Sequence, residues 1–92
     1  VHADARRVLN TWYSIVRRAS WRSFGDVRRT FASADRITLD HGNVITIFDV
    51  GGNRFRVLTH IKFNTRRVYI KLVLTHAECD EESWKETLDH AQ

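Results

Sequence analysis

The stretch GGNRFRVLTHIKF, residues 51–63, decides the fold. It opens on two glycines and an asparagine and then alternates. Phe55, Val57, Thr59, Ile61 and Phe63 fall on one parity, and Arg54, Arg56, His60 and Lys62 on the other. Successive side chains of a strand point to opposite faces, so this strand shows a core its apolar row and solvent a cationic one. The Gly-Gly-Asn opening reads as the turn of a hairpin, which places a second strand directly before it.

Working outward, the period-2 pattern continues on both sides. VITIFDV, 44–50, is the strand before the turn; DHGN, 40–43, is an earlier turn; and 36–39 is a short first strand. A turn around Asn64–Arg66 leads to a last strand, RVYIKLVLT at 67–75. Pairing Val50 with Phe55 puts Phe48 and Val44 on the apolar face. Pairing Phe63 with Val68 adds Ile70, Leu72 and Leu74 to it, opposite Ile61, Thr59 and Val57. A one-residue slip inverts every side chain, so agreement of these registers predicts an antiparallel meander. The opposite face then carries Asp49, Arg56, His60, Lys62, Arg67, Tyr69 and Lys71.

Before residue 36 the period is helical. In DARRVLNTWYSIVRRA, 4–19, Val8, Trp12, Ile15, Val16 and Ala19 form one stripe. Asp4 is placed to cap this helix, and Arg17 and Arg18 suit the negative end of its dipole. SFGD, 23–26, reads as a capping arrangement for a short second helix with Phe24, Val27 and Phe31 along its apolar edge. Asp80 is expected to cap a last helix over about 81–90, with Trp84 and Leu88 facing inward. Trp12 and Trp84 read as core, Trp21 as either packed or exposed, and His41 as a surface turn residue. The expected fold is α+β: a meander of three to four strands, with two N-terminal helices and a C-terminal helix packed on its apolar side.

Composition sets the outer limits. Ninety-two residues, 42% hydrophobic with ten aromatics, suffice for one domain with one core. No apolar run approaches the roughly 18–20 residues of a membrane span, and no signal peptide is visible. One cysteine, Cys79, allows no internal disulfide and favours a reducing, cytoplasmic setting. The chain begins at Val1 and holds no methionine, so an N-terminal truncation is one expectation. Net charge is +4. The basic residues lie almost wholly within 1–71, while Glu78, Asp80, Glu81, Glu82, Glu86 and Asp89 crowd the C-terminal end. A cationic body with an acidic terminal helix follows.

The cationic face has two readings. One is an ordinary solvated sheet face. Like charges on adjacent strands are destabilising without an anion between them, which favours the other: a surface for nucleic acid. Arginine forks match phosphate oxygens, and a tyrosine ring offers a face for base stacking. A second constellation, THAECD at 75–80, places His76 at the rim of the sheet. Histidine is the usual acid or base near neutral pH, with Glu78 and Asp80 able to orient it; the plain alternative is a hydrogen-bonded histidine beside two helix-capping acids. One cysteine and scattered histidines do not make the paired spacings of a structural zinc site. Cys79 beside His76 is a weak nucleophile signal without an oxyanion site.

GGNRFRVLTHIKFNTRRVYIKLVLTHAECDEESWK, 51–85, resembles the HigB-family toxins of bacterial type II toxin–antitoxin systems, within the RelE-like superfamily. The shared features are the Gly-Gly-Asn turn with its following arginine, a Tyr-Ile-basic strand, a His-x-Glu-x-Asp motif and a Trp-Lys pair. WYSIVRRASWRSFGDVRRTF, 12–31, is similar to the family's front half. The resemblance implies a cytoplasmic mRNA interferase, a hydrolase that inhibits translation by cutting mRNA on the ribosome. It implies attack of a ribose 2′-OH on the adjacent phosphate without a metal or cofactor. The implied partners are a helix-turn-helix, HigA-like antitoxin, mRNA and the ribosome; operator DNA is reached only through the antitoxin, and no membrane is involved. Carried over by motif, the catalytic set is Arg56, Lys71, His76, Glu78 and Asp80, and the RNA-binding set is Arg54, His60, Lys62, Arg66, Arg67, Tyr69 and Lys85. Cys79 stands where the family usually has tyrosine. Two other readings remain: a toxin of this fold that acts on a protein such as gyrase, and a non-catalytic RNA-binding module.

Overall fold

A computed structural model describes residues 5–40, 42–52, 54–81 and 84–85. In chain order the elements are α1 (Ala5–Arg18), α2 (Phe24–Thr30), β1 (Asp35–Thr38), β2 (Val44–Val50), β3 (Phe55–Lys62), β4 (Arg67–Thr75) and α3 (His76–Glu81). The strands form one antiparallel sheet ordered β1-β2-β3-β4. This is the expected α+β meander, with four strands. The Asp4 cap, His41 and the part of the last helix around Leu88 lie outside the described residues.

The hairpin that opens on Gly51 has the expected register, with Val50 opposite Phe55 and Phe48 opposite Val57. Gly51 is needed twice over. Its φ is +63°, and a Cβ there would sit 3.1 Å from Val8 Cγ1 of α1. The turn is therefore the floor on which the first helix rests.

The main core lies between α1, α2 and the sheet, and joins Trp12, Val16, Trp21, Val27, Phe48, Val50, Phe55 and Val57. Phe48 is its centre. It meets Trp12 and Phe31 edge-on at 5.3 and 5.2 Å and stacks on Trp21 at 5.9 Å. Trp21 is thereby settled as packed, with Nε1 donating to Thr30 Oγ1 at 3.1 Å. Ile15, expected in the α1 stripe, is 41% exposed instead, on the flank of the helix. At α2 the Ser23 hydroxyl makes no capping bond. Asp26 reaches back instead to accept from the backbone N–H of Arg22.

Two expectations fail together at β4. Simple alternation pairs Ile61 with Ile70 and Val57 with Leu74; the structure pairs Ile61 with Val68, Thr59 with Ile70, Leu58 with Leu72 and Arg56 with Leu74. The register shifts between Leu58 and Thr59, which leaves Lys71 as the extra residue of a bulge. Val68 and Ile70 keep the helix-side parity, while Leu72 and Leu74 cross to the other face. There they join Leu39, Ile45, Ile47, Leu58, Cys79 and Trp84 in a second apolar cluster. The face opposite the N-terminal helices is thus cationic only toward the β3–β4 turn. Its other end is a small core covered by α3 and Trp84. The C-terminal helix lies across the sheet from α1 and α2, not beside them.

Candidate active site

Arg56 sits where the second core gives way to polar groups. It is three-quarters buried, and each nitrogen of its guanidinium has a partner. Nε donates to Asp49 Oδ1 at 3.1 Å, Nη1 to Cys79 Sγ at 3.5 Å, and Nη2 to His76 Nε2 at 3.1 Å. Asp80 Oδ1 lies 4.0 Å from Nη1. The hydrogen bond to Cys79 is the largest influence holding Arg56 above its already high pKa. Burial opposes it, and the electrostatic influence of Cys79, Asp49 and Asp80 reinforces it. Arg56 is a permanent cation.

The bulge assembles this cluster. Without it, Leu74 would share the helix side with Val57, as simple alternation predicts, and the chain beyond would leave the sheet on the wrong face. With it, Leu74 faces Arg56 directly and His76, the first residue of α3, meets the guanidinium. Alternation also sets Arg56 opposite Thr75; the true partner of Thr75 is Phe55. A guanidinium has only donors, so His76 Nε2 must accept, which places the ring proton on Nδ1 in this geometry.

Thr75 and Glu78 explain why α3 starts there. The Glu78 carboxylate accepts from the Thr75 backbone N–H at 2.8 Å, and the Glu78 N–H donates to Thr75 Oγ1 at 3.2 Å. This reciprocal pair is a capping box. Asp80, expected to cap a helix beginning at 81, is instead inside α3. Trp84 Nε1 donates to the Cys79 carbonyl at 2.9 Å and closes the far side.

Of the five residues proposed for catalysis, the structure brings Arg56, His76 and Asp80 together. Glu78 adjoins them with its carboxylate bound to the helix start. Lys71 is exposed at the bulge, three residues of strand or about 10 Å from the Arg56 level. The residue that motif reading misses is Asp49. In sequence it is a stray acid on the cationic face, although its pairing opposite Arg56 is implicit in the expected hairpin register.

The RNA-binding candidates are spread out. Lys62 and Arg67 face each other at the turn end of the β3–β4 hairpin, and His60 faces Tyr69 two residues further along the strands. Arg66 is in the turn between them with φ +57°. His60 is partly engaged, its Nδ1 3.3 Å from the Val44 carbonyl. Arg54 lies over the Phe55 ring at the other hairpin, and Lys85 over Trp84. A cleft of about 190 Å³ opens beside Arg56, between β1 and α3, lined by Ser33, Asp35, Arg36, Asp49, Cys79 and Asp80 among others. Among the described residues no group of three His, Cys, Asp or Glu is arranged to hold a metal ion. Nor is any helix among them long and apolar enough to cross a membrane.

A relative described as mRNA interferase HigB, from Escherichia coli O6:H1 strain CFT073, is 29% identical over 73 residues, covering 79% of this chain and 69% of the relative. The model of the HigB_toxin family, described as the RelE-like toxic component of a toxin–antitoxin system, matches residues 5–82. That match runs from the first helix through the whole sheet to the cluster around Arg56, and the chain belongs to the HigB toxin family, whose members act as the toxic half of a pair with an antitoxin.

Proposed function

We propose that this toxin is an endoribonuclease, an mRNA interferase that cuts mRNA on the ribosome and so arrests translation, with Arg56 and His76 at its centre. The observation that carries this reading is the 3.1 Å contact between Arg56 Nη2 and His76 Nε2. It sets a permanent cation and a proton acceptor side by side on a rigid strand end. Transfer from a ribose 2′-OH to the adjacent phosphate needs both: a base for the hydroxyl proton and fixed positive charge for the phosphate as it gains negative character.

In this mechanism a phosphate oxygen replaces His76 Nε2 as the acceptor of the Nη2 hydrogen bond, the guanidinium staying in place. The freed Nε2 lone pair takes the 2′-OH proton as the oxygen attacks phosphorus. The P–O5′ bond breaks and the departing 5′-oxygen takes a proton from solvent, leaving a 2′,3′-cyclic phosphate and a 5′-hydroxyl end. Lys62, Arg66, Arg67 and Tyr69 at the hairpin tip, with Lys71 between tip and centre, hold the strand by its phosphates and by stacking. The antitoxin keeps the toxin silent, and a helix-turn-helix protein is the form proposed for it.

The test is mapping of mRNA 5′ ends after induction, with and without translating ribosomes, for the unaltered toxin, Arg56→Ala and His76→Ala. Ribosome-dependent cuts that vanish in both variants, while each still binds the antitoxin, bear the proposal out. Growth arrest without cuts points to a protein target instead. Full toxicity of both variants refutes the site.

A further inference from the structure

We propose that Asp49 is a positioning residue: it fixes the orientation of Arg56, and through Arg56 the approach of His76. The inference rests on the ribonuclease reading given above. Asp49 and Arg56 are direct partners on β2 and β3, the two interior strands of the sheet, so the backbone beneath both is held on two sides. A single oxygen, Asp49 Oδ1, lies 3.1 Å from Arg56 Nε and 3.9 Å from His76 Nε2. The two side chains are only 20% and 25% exposed, so solvent competes weakly for this contact.

The Nε bond matters because of arginine's geometry. The guanidinium is a flat fork at the end of several rotatable bonds, and holding Nε fixes where both terminal nitrogens point. With Nε on Asp49, Nη1 is aimed at Cys79 and Nη2 at His76. The same carboxylate is a poor neighbour for RNA, since its negative charge weakens phosphate attraction. Its contribution therefore lies in the geometry of reaction and not in binding. That assigns Asp49 an effect on kcat with KM unchanged or lowered.

The experiment compares single substitutions in the full chain, released from its antitoxin, by cleavage of a defined mRNA on translating ribosomes. Asp49→Leu keeps the volume and removes the acceptor; it lowers kcat tenfold or more, with KM no higher than in the unaltered toxin. Asp49→Asn keeps an acceptor oxygen for Nε and restores the rate to within about threefold. Melting temperature is recorded for each, and Asp49→Ala replaces Asp49→Leu if the latter does not fold. A Leu variant as active as the unaltered toxin, or faster, overturns the inference; so does an Asn variant as slow as Leu. Arg56→Ala runs in parallel. If it too is fully active, the ribonuclease site itself is misplaced. If it is inactive while Asp49→Leu is unaffected, only the role of Asp49 falls.

Discussion

The two ends of the β3–β4 hairpin carry the same kind of side chain in opposite circumstances. At one end Arg56 is enclosed, with an acceptor for Nε, Nη1 and Nη2. At the other, about six residues or 20 Å along the strand, Lys62, Arg66 and Arg67 are exposed to solvent. An enclosed cation has one orientation, and its ordering has been completed before substrate arrives; an exposed one is mobile, screened by salt, and tolerant of many partners. The enclosed end suits chemistry on one phosphate, the exposed end suits grip on several.

The largest effect expected from this contrast is at Arg56. Removing a preorganised donor for developing charge typically costs about 10²–10³-fold in rate. Arg56→Ala should show a loss of that order in single-turnover cleavage, with antitoxin binding retained. A loss of only a fewfold would mean that the enclosed cation is structural and that the contrast between the ends has no catalytic meaning.

Next comes the exposed pair. Lys62 and Arg67 face each other directly, a like-charge pairing that destabilises a sheet unless an anion lies over it. The double substitution Lys62→Ala, Arg67→Ala should weaken binding of single-stranded RNA about tenfold at low salt. It should also flatten the dependence of log K on log salt by about 1.4, or about 0.7 for each phosphate left without its cation. The cleavage rate at saturation should not change. An unaltered salt slope would take the tip off the RNA path.

A smaller effect tests what holds the enclosed end together. Thr75 starts α3 through its capping box with Glu78 and thereby places His76 and Cys79 around Arg56. Thr75→Ala should destabilise the fold by about 1 kcal/mol in denaturant titration. Cleavage should fall with it, while RNA binding at the tip stays constant. Equal losses at both ends would show that the hairpin behaves as one unit.

How much of this contrast is legible follows from where alternation is reliable. RFRVLTHIKF keeps its charged residues on one parity and the Gly-Gly-Asn turn precedes it, so pattern and turn together determine the Val50–Phe55 register, and VITIFDV, apolar on both parities, takes its faces from that pairing. RVYIKLVLT is apolar on both parities: Val68 and Ile70 on one, Tyr69 and Val73 on the other, with Leu72 and Leu74 able to serve either. Nothing in such a strand marks where an extra residue enters, so the bulge at Lys71 and the second core it creates stay hidden. Arg56 and His76 emerge as neighbours even from an incorrect register, because both sit at the same end of the sheet in either pairing. Asp49 escapes notice because an acid among cations reads as charge balance until its oxygen is seen on Nε.

The smallest effect expected is also the one with two opposing parts. Arg66 occupies a left-handed conformation, φ +57°, at the end of the turn whose closing bond runs from its N–H to the Phe63 carbonyl at 3.3 Å. Glycine adopts that conformation without the Cβ strain that an arginine bears, although it gives up more chain entropy on folding. Arg66→Gly should therefore leave stability unchanged or raise it by up to about 1 kcal/mol. The same change deletes one exposed cation, so RNA affinity should drop a fewfold and the salt slope by about 0.7. A variant that folds at least as well and binds RNA less tightly would mean that arginine at this position is explained by its grip on RNA and not by the turn. If affinity were instead unchanged, the cations of the exposed end would reduce to Lys62 and Arg67, and the turn would be only a connection between strands.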